Sequence, residues 1–126
     1  MTKPEVSDAE TGPGAGQRAE PTEPQLTSAA STFALLGNAT RLHVVWLAAQ
    51  GVHDVTALAE RAGVGTATMS QHLSKLRLAG LISVRREGRR HIYTVDDPHV
   101  LAMVEQIFDH IAPDGSLAPD PPLDNA

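Results

Sequence analysis

The spacing of apolar and polar positions between residues 25 and 111 predicts five helices and one β-hairpin. Helix-like segments, several bounded by Gly or Pro, span residues 25–36, 40–49, 55–62, 66–79 and 98–111. Asp54 stands directly before the third segment and is expected to be its N-cap. After the fourth segment, the stretches LISVRR and RRHIYTV flank Glu87 and Gly88, which is typical of two strands joined by a turn.

The third and fourth predicted helices are separated by only a short turn. Ala59 is small enough to let a second helix cross nearby, and Gly63 lies where the turn needs a residue that tolerates positive φ. The apolar contacts between the two helices are expected from Leu58, Ala62, Val64, Met69 and Leu73. With the hairpin and the closing helix, this pattern predicts a mainly α fold, a winged helix-turn-helix.

The fourth helix carries a stripe of polar residues beside the apolar stripe that contains Met69 and Leu73. Ser and Gln can hydrogen-bond to base edges, whereas Thr at a helix N-terminus and basic residues suit phosphate. The expected reading positions are Ala67, Ser70, Gln71 and Ser74, and the expected phosphate contacts are Thr66, Thr68, Lys75 and Arg77. Any one of these positions taken alone is better explained as part of a solvated surface helix, but together with the hairpin they favour DNA.

Charge is distributed unevenly along the chain, which has a formal net charge of -5. Residues 27–95 carry eight Lys or Arg and three acidic residues, whereas residues 96–126 carry seven acidic residues and no Lys or Arg. Four arginines crowd the hairpin turn and repel each other without an anionic partner, so phosphate is their expected contact. They are Arg85, Arg86, Arg89 and Arg90.

The two ends of the chain lack periodicity and apolar runs, so residues 1–26 and 112–126 are expected to be flexible acidic tails. Residues 27–111 then form the domain that binds DNA and dimerises. This body of about 85 residues is small for a self-sufficient core, so a second copy is expected to complete it. The sequence has no Cys, no apolar run of ~20 residues and no secretory pattern, and the expected location is cytoplasmic.

Three segments, LLGNATRLHVVWLAAQG, VTALAERAGVGTATMSQHLSKLRLAGLI and RREGRRHIYTV, resemble the ArsR family of metal-responsive repressors. The similarity covers roughly residues 30–111. It implies a symmetric dimer built from the first and last helices, which binds double-stranded operator DNA without metal and leaves it when a ligand binds. Such dimers read half-sites about one helical turn, ~34 Å, apart.

The last helix resembles the site that other family members use for zinc, nickel or cobalt. Asp97 and His99 open this helix and His110 follows eleven residues after His99. At 1.5 Å per residue the two histidines lie about 16 Å apart, too far to share an ion within one chain. We therefore expect Asp97 and His99 of one protomer to meet His110 of the other. Family members that sense soft metals commonly place Cys at the start of the third helix, and this chain has none.

The fourth metal ligand departs from the family pattern, because Pro113 stands where the family places a donor. Asp114, a water molecule or a tail carboxylate such as Asp120 are the alternatives. Asp97 could equally be a plain N-cap, and lone histidines beside a packing stripe are usually structural. The expected effector is a divalent transition metal, zinc first and nickel or cobalt next.

Two other functions compete with that of a metal-responsive repressor. One is a regulator of the same fold that responds to a non-metal signal, which Pro113 keeps open. The other is a zinc hydrolase, which is disfavoured because the sequence contains neither an HExxH nor a GxSxG motif. No enzymatic activity is expected.

Overall fold

The computed structural model describes residues 18–119 of the chain. Most of the predicted N-terminal tail, the end of the C-terminal tail and the candidate ligand Asp120 lie outside the described residues. The chain divides after Ser31 into two compact units. Among residues 18–119, no helix combines the length and the apolar character that crossing a bilayer would require.

Five helices and a two-stranded antiparallel sheet make up the described part of the chain. In order they are α1 (Glu23–Leu36), α2 (Ala39–Gln50), α3 (Val55–Ala62), α4 (Thr66–Leu78), β1 (Ser83–Glu87), β2 (Arg90–Thr94) and α5 (Pro98–His110). The prediction of a mainly α winged helix-turn-helix is confirmed, and each predicted element lies within two residues of its expected bounds.

Helix α1 begins two residues earlier than predicted because its first turn is capped from both sides. Thr22 Oγ1 accepts a hydrogen bond from the Gln25 N–H at 3.2 Å, and Gln25 Oε1 accepts one from the Thr22 N–H at 2.9 Å. This reciprocal pair is a capping box, in which two residues three apart satisfy each other's backbone donors. The start of this helix therefore lies at Glu23, inside the segment predicted to be a tail.

The turn between α3 and α4 has the geometry that the sequence predicted. Gly63 adopts φ of 74°, and its N–H donates to the Ala59 carbonyl at 2.9 Å. A Cβ built on Gly63 meets nothing within 4 Å, so the backbone conformation and not the available space calls for glycine. Asp54 caps α3 as expected, since its side chain accepts a hydrogen bond from the Ala57 N–H.

The hairpin, called the wing below, turns one residue later than predicted. Glu87 pairs with Arg90 as the last rung of the ladder, so the loop consists of Gly88 and Arg89 rather than Glu87 and Gly88. Gly88 supplies the positive φ, 64°, that such a tight turn needs. The outer edge of the wing is also attached to the linker before α3, because the Tyr93 N–H donates to the His53 carbonyl at 2.8 Å.

The core lies between α2, α3, α4 and the first half of α5. Its fully buried large side chains are Val44, Val45, Leu47, Leu58, Met69, Leu73, Leu76, Ile92 and Val104. The apolar side chains of α5 divide into two groups, because Val100 and Val104 are buried in this core while Ile107 and Phe108 stay 40% and 44% exposed. The exposed group remains available for another surface.

The chain folds back after α5 into a hydrogen-bonded turn. The Ala118 N–H donates to the His110 carbonyl at 2.9 Å, and Ile111 forms a bridge with Leu117. Asp114 holds the turn by accepting hydrogen bonds from the N–H and the hydroxyl of Ser116. The first residues of the predicted C-terminal tail are thus arranged by local side-chain bonding, which their composition did not indicate.

Candidate DNA-binding surface and sensor helix

Helix α4 separates its apolar and polar positions as the sequence predicted. Met69, Leu73 and Leu76 are at most 2% exposed and pack inward. All eight positions predicted to contact DNA from this helix are exposed: Thr66, Ala67, Thr68, Ser70, Gln71, Ser74, Lys75 and Arg77. Four of them border one shallow surface depression, namely Ser70, Gln71, Ser74 and Lys75. A continuous polar face of this kind has the shape and donors that a major groove accepts.

The N-terminus of α4 is left open for an anion. Its N-cap is Gly65, which offers no side-chain hydrogen bond to the first turn. The N–H groups of this turn therefore depend on solvent or on a ligand for a partner. A helix N-terminus with free N–H groups attracts phosphate, and the Thr66 and Thr68 hydroxyls lie beside it.

His72 on α4 is partly buried and faces Arg41 of α2. Its Nδ1 lies 3.5 Å from Nη1 of Arg41, whose Nε donates to the Leu35 carbonyl. Burial, together with the positive charges of Arg41 and Lys75, lowers the pKa of His72 from its ordinary value. The imidazole is therefore neutral at pH 7 and can accept a hydrogen bond from Arg41.

The pleat of the wing places its arginines on two faces. Arg86 pairs with His91 across the ladder and shares its face with Val84 and Tyr93, while Arg85 pairs with the buried Ile92 on the other face. The first face meets the end of α4 in a depression lined by Arg77, Val84, Arg86, His91 and Tyr93, to which Arg85 of the other face also contributes. His91 was not among the predicted DNA contacts, and only the strand register shows that it stands beside Arg86.

The other face carries arginines that already have carboxylate partners. Arg85 pairs with Glu87 at 2.9 Å, and Arg90 pairs with Asp54 at 3.0 Å. Arg86 instead donates from Nε to the Gly88 carbonyl, which leaves its terminal nitrogens for a ligand. Arg89, at the tip, makes no ion pair with any described residue. The four arginines, predicted as equals, thus differ in how much charge each can offer to DNA.

Asp54 supports both α3 and the wing. The hydrogen bond from the Ala57 N–H, followed by the interaction with Arg90, lowers the pKa of Asp54 despite an opposing contribution from burial. The side chain is therefore an anion at neutral pH. It holds one element of the helix-turn-helix and one cation of the wing together.

The predicted metal ligands lie at the two ends of α5. Asp97 caps the helix by accepting the His99 N–H at 2.7 Å, and its Oδ1 also lies 3.2 Å from His99 Nδ1. The His99 side chain is 96% exposed. His110 ends the helix, and Asp114 is engaged with Ser116 in the turn beyond it. Within one chain, residues 18–119 contain no group of three possible ligands, so the shared site remains a prediction.

Hydrogen bonding keeps both candidate carboxylates charged. The bond from the His99 N–H is the largest of the effects that lower the pKa of Asp97. The bonds from Ser116 lower the pKa of Asp114 in the same way. Asp97 meets the expectation for an N-cap, and this bonding does not exclude a further role beside His99.

An apolar cavity of about 630 Å³ lies between α2, the end of α5 and the turn that follows. It is lined by Ala39, Leu42, His43, Trp46, Phe108, Ile111, Ala112, Pro113 and Gly115. Its volume lies within the range of small-molecule sites. His43 is the only lining residue with an ionisable side chain.

Known proteins resemble the chain over this region. Residues 38–84 match the family described as bacterial regulatory protein, arsR family. The HTH-type transcriptional regulator KmtR of Mycobacterium tuberculosis is 38% identical over 80 residues, which cover 64% of this chain and 62% of KmtR. The chain thus spans less than two thirds of that relative. The cadmium resistance transcriptional regulatory protein CadC homolog of Staphylococcus aureus is 35% identical over 82 residues, covering 64% of this chain and 68% of that protein.

A solved structure agrees with the same assignment. It is the homodimeric winged helix-turn-helix DNA-binding domain of a possible ArsR-family transcriptional regulator from Mycobacterium bovis, which superposes with a TM-score of 0.62 at 30% identity. The match covers 71% of this chain and 86% of that domain. The family match, the relatives and the exposed reading helix lead to one conclusion: the chain belongs to the ArsR family of bacterial transcriptional regulators and carries its DNA-binding helix-turn-helix.

Proposed function

We propose that this protein is a metal-responsive repressor, which binds operator DNA as a homodimer and leaves it when a divalent transition metal binds between the two last helices. Zinc is the first candidate, followed by nickel and cobalt. The observation that carries the proposal is the exposed Asp97–His99 pair at one end of α5, with His110 at the other end of the same helix. The relative CadC homolog is a cadmium resistance regulatory protein, which supports a metal signal for this chain.

Exposed apolar side chains support the homodimer. Phe33 near the end of α1 is 63% exposed, and Ile107 and Phe108 on α5 are 40% and 44% exposed. Such side chains gain free energy when a second copy removes them from water. An antiparallel pairing of α5 with its copy brings His99 of each protomer toward the partner's His110. This is the pairing that two identical sites per dimer require.

The candidate metal ligands suit zinc, nickel or cobalt better than a soft, thiophilic metal. The candidate ligands offer imidazole nitrogen and carboxylate oxygen, and the sequence contains no thiolate. Because His99 Nδ1 lies against Asp97, its Nε2 is the ring nitrogen left to bind the ion. Asp97 Oδ1 then orients the imidazole, as a carboxylate commonly does for a metal-binding histidine, and Asp97 stays a candidate ligand through its other oxygen. A bound metal would supply the cross-link between the two protomers.

A gel-shift titration on duplex DNA tests the proposal. Purified protein is bound to palindromic operator candidates, and zinc, nickel and cobalt are added in turn, with calorimetry giving the stoichiometry. The expected result is release of DNA at about one ion per protomer. His99→Ala and His110→Ala should still bind DNA but should not release it, whereas the control His43→Ala should respond as the wild type does. Normal release from His110→Ala would refute the assignment of the site.

The apolar cavity favours a second candidate, a regulator of the same fold that senses an apolar small molecule. The cavity borders α5 and the turn that holds Pro113, so a ligand there would act on the same helix. Calorimetry separates the two candidates. Failure of all three metals to bind the wild-type dimer would favour a sensor of small molecules. Saturable metal binding that is lost in His99→Ala would favour a metal sensor.

A further inference from the structure

We propose that Asp54 and Arg90 form a latch that fixes the angle of the wing against the helix-turn-helix, so that Arg90 positions the wing and does not contact DNA phosphate. The proposal rests on the DNA-binding function proposed above. It assigns to Arg90 a role different from that of Arg89, its neighbour in sequence. It also gives Asp54, which sequence analysis identified only as an N-cap, a second task.

The two oxygens of the Asp54 carboxylate make different contacts, one with the first turn of α3 and one with Arg90. Oδ1 accepts the Ala57 N–H at 2.9 Å and caps α3, while Oδ2 lies 3.0 Å from Arg90 Nε. The Asp54 side chain is 25% exposed and that of Arg90 is 61% exposed. Because a partly solvated ion pair adds little to global stability, we expect its effect in the orientation of the wing and not in unfolding.

The latch is the second of two attachments between β2 and the linker that leads into α3. The first is the backbone hydrogen bond from the Tyr93 N–H to the His53 carbonyl. Arg90 lies three residues before Tyr93, so the two attachments are about 10 Å apart along the strand. The backbone hydrogen bond and the buried Ile92 hold the second half of β2, and the ion pair adds a fixed point next to the loop, where the strand is otherwise exposed.

The position of Arg90 in the ladder argues against a phosphate contact. Its side chain lies on the same face of the wing as the buried Ile92, whereas Arg86 and His91 lie on the face that meets Arg77. Its charge is also balanced by Asp54. An arginine that is already neutralised releases few counterions when DNA binds, so it contributes little to the salt dependence.

The test compares three single variants and one double variant of the full chain on a labelled DNA duplex. Asp54→Asn keeps an oxygen to cap α3 but removes the charge, and Arg90→Met removes the partner. Arg89→Met serves as the matched control at the tip of the turn. The dissociation constant is measured by fluorescence anisotropy at several salt concentrations, and amide hydrogen exchange reports the mobility of the wing.

If the latch exists, Asp54→Asn and Arg90→Met each weaken DNA binding about two- to fivefold at low salt, the range expected for an exposed ion pair. The double variant should be no weaker than either single variant. Exchange at the Tyr93 N–H should be faster in both. Arg89→Met should leave this exchange unchanged and lower the salt slope by about 0.9, the contribution of one phosphate contact.

Two results would overturn the latch. A salt slope in Arg90→Met as reduced as that in Arg89→Met would show a phosphate contact. Unchanged wing exchange in both latch variants would show that the ion pair fixes nothing. Absence of any salt-dependent DNA binding by the wild type would instead refute the proposed function, and the exchange measurement would still decide on the latch.

Discussion

Replacing Arg86 with methionine should weaken DNA binding in a salt-dependent way. Arg86 lies on the wing face that meets Arg77, and among residues 18–119 only its Nε is engaged, by the Gly88 carbonyl. Its terminal nitrogens therefore remain for one phosphate. The neighbouring Arg85 borders the same depression as Arg86, but its Nε is already paired with Glu87 at 2.9 Å. The two adjacent arginines thus provide a matched comparison.

The size of the effect follows from counterion release. One phosphate contact contributes about 0.9 to the slope of log affinity against log salt concentration. Between 50 and 200 mM salt, a fourfold change, the defect of Arg86→Met relative to wild type should therefore shrink by about 3.5-fold. Arg85→Met combined with Glu87→Gln removes an existing ion pair at constant net charge, so its slope should stay close to that of the wild type.

Fluorescence anisotropy with a labelled duplex gives both slopes, and a thermal melt checks that each variant is folded. Arg86→Lys keeps the positive charge and should therefore keep the salt slope of the wild type. This variant shows whether the charge of Arg86 or the shape of its side chain determines the slope. The reasoning would be refuted if Arg86→Met had the slope of the wild type. It would equally be refuted if the Arg85 and Glu87 double variant lost as much slope as Arg86→Met.

Two further predictions concern the stability of the fold. Gly63→Ala should lower the free energy of unfolding by about 1–2 kcal/mol, since Gly63 has φ of 74° and the cost comes from the backbone alone; an unchanged urea midpoint would contradict it. The pKa of Asp54 is held below its ordinary 3.8 in the folded chain, so its stabilisation is present above pH 3.8 and is lost as the pH falls further. Asp54→Asn should therefore lose less stability than the wild type between pH 5 and pH 3, and parallel pH profiles would argue against this.

The sequence predicted the helix-turn-helix closely because its signals are local. Apolar spacing located α3 and α4, and Gly63 marked the turn between them. The errors also have local causes. The capping box of Thr22 and Gln25 moved the start of α1, and the pairing of Glu87 with Arg90 moved the hairpin loop by one residue.

The arrangement of the wing could not be predicted in the same way. The Asp54–Arg90 pair joins residues 36 apart, and the division of the arginines depends on which face of the sheet packs inward. Sequence spacing gives the alternation of a strand but not the side that becomes buried. The metal site is still harder to predict from the sequence, because its predicted ligands lie at opposite ends of α5 and can meet only across two protomers.

Gly65 leaves the first turn of α4 without a side-chain cap. Its backbone is extended, with φ of -72°, and a Cβ there would meet nothing within 4 Å, so a capping serine would fit. Such a serine would steady the isolated protein while competing with the DNA backbone for the same N–H groups. If the proposed phosphate contact forms there, this single position sets both the stability of the free protein and its affinity for DNA, and a glycine favours the affinity.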